Sequence, residues 1–401
     1  MNKKISGLIV VLFLLLLLTP FLIGVIFKQN YNKAFKPIFQ NLNLSAQLLE
    51  YKRSWFFSDV IIASHFPLAD QANNTNNHEE SVVISQRIYH GPIIFTKGYP
   101  RIKLAWIYID SYVDQKTHFA KTTLTLNRTL STELALDEYA LIHNNKLLYS
   151  LKGLKGDIVI DSHDMNLTSN IRFNHIFANI DSAREISKFN ATIDLTKNQS
   201  GLWTGKQVYH FGELKWLQGN TVYNFHAFNY KITNALHHEH YDTKIDLDMA
   251  ALLVNKLDYG AQKISIELNQ LKPSELALLQ HNQFSSLQTP SQMLMYQHDF
   301  MELLNKGAEL KINNIHLNTL KGPINVQGCI TCPCNNNACN LSSLFSKLTG
   351  NIKGQVPTDV ANSFLTNSYF HFLHGDEFMA EWRKKGWLQT SGEYFLINCQ
   401  F

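Results

Sequence analysis

Apolar residues fall at every second position over much of this chain, and that alternation commits it to half-buried β-strands before anything else is considered. In YDTKIDLDM, Tyr241, Thr243, Ile245, Leu247 and Met249 share one face, while Asp242, Lys244, Asp246 and Asp248 share the other. KISIELNQL repeats the pattern with Ile264, Ile266 and Leu268 inward. Similar runs, TTLTLN, GDIVID, ATIDLT and TVYNFHAF, are separated by Gly, Asn and Asp turn signals. Such a series predicts an antiparallel meander with one wet and one dry face. IKLAWIYID carries apolar residues on both faces and is expected to be a central strand covered on each side.

The first segment does not alternate. Ile5 to Phe27, ISGLIVVLFLLLLLTPFLIGVIF, holds no charge. As a helix it would reach roughly 34 Å, enough for a hydrocarbon core of about 30 Å. It exceeds the apolar stretch of a signal peptide and lacks an A-x-A cleavage pattern, so an uncleaved anchor is expected, with Pro20 and Gly24 as kink positions. Lysines flank both ends, which leaves orientation close to a tie. Tyr31, Phe35, Ile38, Phe39 and Leu42 then follow at helical spacing, an amphipathic helix for the headgroup boundary or for the folded body.

The last third changes character. Pro273 and Ser274 mark a helix start and Gly307 a C-cap. The apolar phase slips by one between Ile312 and Ile315, which predicts a bulge at Asn313 and Asn314. Helical signals return in NLSSLFSKL, PTDVANSFLTNSYFHFL and DEFMAEWRKKG, and WLQTSGEYFLINCQF closes as a hairpin. The expected fold class is therefore α+β: an N-terminal transmembrane helix, then an elongated, curved, mainly antiparallel β-sheet with C-terminal helices. Its expected parts are an anchor (1–27), a juxtamembrane linker helix (28–43), an antiparallel β-meander (44–272) and an α+β part packed on the sheet (273–401).

Composition sets function classes aside. At 45% hydrophobic and 12% aromatic residues the chain has the apolar surface that disorder lacks. A net charge of +4 with scattered Lys and Arg gives no basic stripe for nucleic acid. There is no G-x-S-x-G elbow, no phosphate loop, no G-x-G-x-x-G and no H-E-x-x-H. No cofactor is expected.

Two clusters are candidates for chemistry. On the strand starting near HHEHYD, His238, His240 and Asp242 would project from one face, close enough for two imidazoles to share a Zn²⁺. The competing reading is a solvated turn and sheet face. Cys329, Cys332, Cys334 and Cys339 lie together in CITCPCNNNAC, far from Cys399. They fit two disulfides in an oxidising compartment, or a four-thiolate zinc site in a reducing one or free thiols; the pairing is open, with Cys399 either left over or joining in as a disulfide candidate.

LEYKRSWFFSDVII followed by IYHGPIIF resembles the YdgA-like family of bacterial proteins of unknown function. The positions that carry the resemblance are Tyr51, Arg53, Trp55, Phe56, Ser58, His90, Gly91 and Pro92; Ser54 stands where the family usually has Gly. Shorter echoes run through LWTGK, LDYGAQKISIELNQLKPSELALL, INNIHLNTLKGPINVQG and GWLQTSGEYFLIN. The resemblance implies a single-pass inner-membrane protein with its body in the periplasm, which favours the disulfides; it supplies no activity. Physically, Trp55 and Phe56 are expected to pack a strand end onto the sheet, with Arg53 over an aromatic face. The functional expectation is a non-enzymatic envelope module that binds an apolar ligand, a lipid or an envelope protein in a concave sheet face. A membrane-anchored hydrolase with dispersed His, Asp and Glu, or a structural tether, are the alternatives.

Overall fold

The computed structural model describes residues 18–31, 45–66, 80–96, 102–143, 145–179, 183–274, 276, 307–331, 349–365, 380 and 382–400. The chain divides into two compact units, residues 1–194 and 195–401. The divide expected at 272/273 falls inside the second unit.

In the first unit the order is α1 (18–31), β1 (Ser45–Arg53), β2 (Phe57–Phe66), β3 (Glu80–His90), β4 (Ile93–Phe95), β5 (Ile102–Val113), β6 (Thr117–Thr125), β7 (Thr129–His143), β8 (Lys146–Asp161) and β9 (Asn166–Asn179). β10 (Ala183–Lys197) follows and runs through the divide. The strands pair antiparallel as β1–β2–β3–β5–β6–β7–β8–β9, with β4 on the leading end of β5. β5 lies between β3 and β6, but the cover expected on each side is incomplete: Ile107 and Ala105 are buried in different clusters, one beneath α1 and the other beside Ile94 and Tyr108, whereas Ile102, Leu104 and Trp106 are exposed.

α1 corrects the reading of the apolar run. No helix among the described residues is long and apolar enough to cross a membrane. Residues 18–27, assigned to the lipid span, pack one face on protein: Ile23 and Phe27, with Tyr31 beyond them, lie against Val60, Ile62, Ile88 and Ile107. A helix apolar all round is a buried helix, and its sequence does not say whether lipid or protein buries it. Residues 5–17 of the run, and the linker helix beyond Tyr31, lie outside the described residues; Tyr31 itself faces the folded body.

The second unit contains β11 (Trp203–Gln218), β12 (Thr221–His237), β13 (His240–Met249), β14 (Ala251–Val254), β15 (Leu257–Asp258), β16 (Gln262–Leu271), β17 (Glu309–Thr319), β18 (Gly322–Thr331), β19 (Thr349–Pro357), α2 (Thr358–Leu365), β20 (Leu388–Ser391) and β21 (Tyr394–Gln400). The antiparallel order is β11–β12–β13–β16–β17–β18–β19–β21–β20, with β14 also on β12 and β15 on β14. The predicted bulge is present, since the β17–β18 register shifts between Ile312 and Ile315. The closing hairpin is β20–β21, and PTDVANSFL begins α2 with Asp359 in its first turn. The fold is thus mostly antiparallel sheet, with less helix among the described residues than the α+β expectation holds. The remaining C-terminal helices, apart from residues 273, 274, 276, 380 and 382–384, fall outside the described residues.

Long strands keep one apolar face by slipping phase together. On β7 the inward residues are Leu130, Leu134 and Leu136, then Tyr139 and Leu141; on β9 they are Ile171 and Phe173, then Ile176 and Ala178. Registers on both sides of the slip remain aligned, Leu136 with Leu154 and Tyr139 with Leu151. Positive φ at Gly153 (67°), Lys188 (53°) and Ala227 (47°) marks such positions on β8, β10 and β12. A one-residue change of phase on a single strand would send its apolar residues to solvent, and matched changes on neighbours avoid that.

Candidate functional site

The residues that carry the family resemblance converge into a seat for α1. Ser58 and His90 lie on neighbouring strands and share a hydrogen bond of 2.9 Å between Oγ and Nε2. Both are buried, at 0% and 1% exposure. His90 Nδ1 has no hydrogen-bond partner among the described residues. Burial, with Arg53 adding to it, pushes the imidazole down to about 4, so the ring is neutral at pH 7.

Gly24 lies over that ring. A Cβ built there would come within 3.1 Å of His90 Cδ2 and Nε2, so α1 makes its closest approach where it lacks a side chain. Pro20 and Gly24 are buried, while Leu18, Leu22 and Ile26 on the opposite side are exposed. Around this contact Phe21 meets Trp55 at 5.0 Å between ring centroids, and the Arg53 guanidinium lies 4.3 Å from the centre of Phe21. Further along, the Tyr31 hydroxyl donates to Gln86 Oε1 at 2.7 Å, and its ring meets Tyr51 edge-on at 5.8 Å. Burial raises the Tyr31 phenol well above its ordinary value, with Tyr51 adding to it.

Gly91 and Pro92 turn the chain out of β3 into β4. A Cβ on Gly91 would sit 1.5 Å from the Ala105 carbonyl oxygen, so no other residue fits. The Gly91 amide donates to Trp106 O at 2.8 Å, and the Ala105 amide donates to Pro92 O at 3.0 Å. At the β1–β2 turn the Ser54 amide donates to Phe57 O, and Ser54 is not among the positive-φ residues. Serine therefore stands in the glycine position there without strain. The expected cation–π contact of Arg53 exists, but its ring belongs to α1; Trp55 packs on that helix and Phe56 remains exposed.

Strands β2, β3, β5 and β6 also line a polar cavity of about 440 Å³, among Asp59, Arg87, Tyr89, Asp110, Tyr112 and His118. Its charges are largely satisfied within it. Arg87 donates to both Asp59 oxygens, at 2.8 and 3.3 Å, and the Tyr108 hydroxyl donates to Asp110 at 2.8 Å.

In the second unit, β11 and β12 carry an aromatic ladder: Tyr209 with Tyr230 at 6.0 Å, Phe211 with Phe228 at 5.4 Å, and Trp216 with Tyr223 at 5.8 Å. Phe225 and Phe228 are three residues apart yet 6.3 Å between centroids, which the phase change at Ala227 allows. Leu247 and Ile245 of β13 stand opposite Tyr230 and Ile232. The ladder residues are half-buried, and Trp216 is more open. A larger cavity, about 630 Å³, is polar and lies among Lys311, Asn313, Gln327, Cys329, Asn351 and Lys353.

The histidine cluster does not assemble among the described residues. His238 sits in the two-residue turn between β12 and β13 with φ 56°, off the ladder on which the shared face depends. His240 stands opposite His237, and Asp242 Oδ1 accepts the Gln270 amide at 2.8 Å. No group of three or more His, Cys, Asp or Glu among the described residues could hold a metal ion. The disulfide expectation is corrected for Cys329 and Cys399, which are free thiols. Cys329 pairs in register with Asn351, whereas Cys399 pairs with Ile352, so the two point to opposite faces. Cys332, Cys334 and Cys339 lie outside the described residues.

What sequence reasoning missed is the helix half of the seat, Phe21, Gly24 and Phe27. A lone glycine in a bulky apolar run is the available signal, and a kink and a close approach share it.

Together these features define a β-sheet protein whose N-terminal helix is seated on Tyr51, Arg53, Trp55 and His90. The chain belongs to DUF945, the family described as bacterial protein of unknown function, which it matches over residues 1–391. No curated protein and no solved structure matches it.

Proposed function

We propose that the chain is a single-pass, YdgA-like inner-membrane protein whose periplasmic body holds an apolar or amphipathic ligand, such as a lipid chain, on the apolar faces of its long strands, without catalysing a reaction. The observation that carries this reading is the aromatic ladder of β11 and β12. Its rings stay together across a change of phase, as a surface kept for apolar contact requires. The uncharged residues 5–17 support the tether, and the seat of Ser58 and His90 gives the body a fixed grip on α1, which continues the same run.

The test is organic extraction and native mass spectrometry of the full chain purified in detergent. A bound amphiphile is expected, and it should be lost in the Phe211→Ser/Phe228→Ser variant with the strand signal in circular dichroism retained. A wild-type chain that carries nothing from membranes sinks the ligand reading. The hydrolase alternative has one observation in its favour, the cavity that brings Asp110 and His118 within 3.6 Å. Hydrolysis of ester substrates abolished by His118→Gln would favour it.

A further inference from the structure

We propose that the ledge formed by β4 and the leading end of β5, together with the β1–β2 turn, is a membrane-seating surface that enters the interface of a lipid bilayer. This rests on the anchor reading above.

Alternation on the ledge is inverted relative to a solvated strand. Ile94 and Ala105 are buried at 2% and 0%, yet the alternate outward positions are apolar rather than polar. Phe95 is 68% exposed, Leu104 66% and Ile102 58%, with Trp106 at 36%; Phe95 stands opposite Ile102 in the register. Trp55 and Phe56 at the neighbouring turn are 45% and 48% exposed, and the Phe56 carbonyl accepts the His90 amide at the foot of the ledge. Contiguous exposed apolar surface of this kind marks a protein or membrane contact, and Trp at its edge suits the headgroup level.

The position of α1 selects the bilayer as the occupant. Phe21 meets Trp55, Gly24 meets His90 and Tyr31 reaches Gln86, so α1 begins at the ledge end and runs away from it. The uncharged apolar residues 5–17 therefore join the body at this same end. As a helix those residues would span only about 20 Å, roughly 10 Å short of the hydrocarbon core. Interfacial apolar groups typically sink about 5–10 Å into the headgroup and acyl boundary, a depth of the same order as the missing distance. Charge agrees with this: from Gly91 to Ile109 the sequence has Lys97, Arg101 and Lys103 and no acid, a composition suited to anionic headgroups.

The experiment uses the full chain reconstituted in phosphatidylethanolamine and phosphatidylglycerol vesicles with bromine at a defined acyl depth. Tryptophan emission should be quenched, and that quenching should be lost in W55F/W106F, which keeps the other four tryptophans. If the chain survives an alkaline carbonate wash on the vesicles but both proteins are quenched equally, the seating surface is overturned while the anchor stands. Dimeric cross-links through Leu104→Cys would then show that a second copy covers the ledge. If the chain is not held by vesicles at all, the anchor reading falls and the ledge proposal with it.

Discussion

His90 and Ser58 lie 32 residues apart in sequence, and their side chains meet at 2.9 Å in full burial beneath a glycine of α1. Removing one partner strands the other without water. Ser58→Ala is expected to lower stability by about 1–3 kcal/mol, the cost of an unsatisfied buried polar group. His90→Ala adds a cavity under Gly24 and should cost about 2–5 kcal/mol. Urea titration of the full chain in detergent measures both, and a loss below a few tenths of a kcal/mol would show that the seat does not contribute to the fold.

The same histidine gives a pH dependence with a definite sign. Its folded value of about 4 lies below the ordinary 6.5, so between those values the unfolded chain binds a proton that the folded one does not. Stability from this group is constant above pH 6.5, falls as pH drops towards 4, and levels off below. The slope is at most about 1.4 kcal/mol per pH unit. His90→Gln should flatten that window when the two proteins are unfolded in parallel at about pH 7 and about pH 4.5, either side of the steepest change; parallel curves would contradict the buried neutral ring.

Gly91 and Gly219 separate close approach from backbone conformation. Gly91→Ala places a Cβ 1.5 Å from the Ala105 carbonyl oxygen, and a loss of at least about 3 kcal/mol or failure to fold is expected. Gly219 has φ +58° with nothing within 4 Å of its built Cβ, so Gly219→Ala should cost only about 1–2 kcal/mol. Thermal melts of the pair test the ranking.

The thiols Cys329 and Cys399 should differ in reactivity. Burial pushes Cys399 up to about 11, while Cys329 is raised by burial, with Glu309 adding to it, and is more open to solvent. Brief iodoacetamide treatment of the native chain, followed by peptide mass mapping, should label Cys329 ahead of Cys399. Equal labelling, or a mass shift on reduction at either residue, would count against free thiols in this geometry.

Much of the sheet was legible because each strand announces itself locally. Lys244 and Asp246 against Ile245 and Leu247 fix a face, and the slip from Ile312 to Ile315 fixes a bulge, without knowledge of any partner. The seat was only half legible. Its strand residues stood out as a cluster, but nothing near Ser58 names His90 as its partner, and nothing near Gly24 names either. HHEHYD misled in the other direction, because alternation was extended through His238, where the chain turns.

By itself the sequence determined the antiparallel strands, their wet and dry faces and the apolar character of the first segment, since these follow from spacing and side-chain type within a few residues. Only the tertiary structure decided that residues 18–27 rest on protein, that Ser58 and His90 form the floor beneath them, and that an apolar ledge lies where the helix begins. Those outcomes depend on contacts between distant segments, and an apolar side chain is equally at home against lipid or against another side chain.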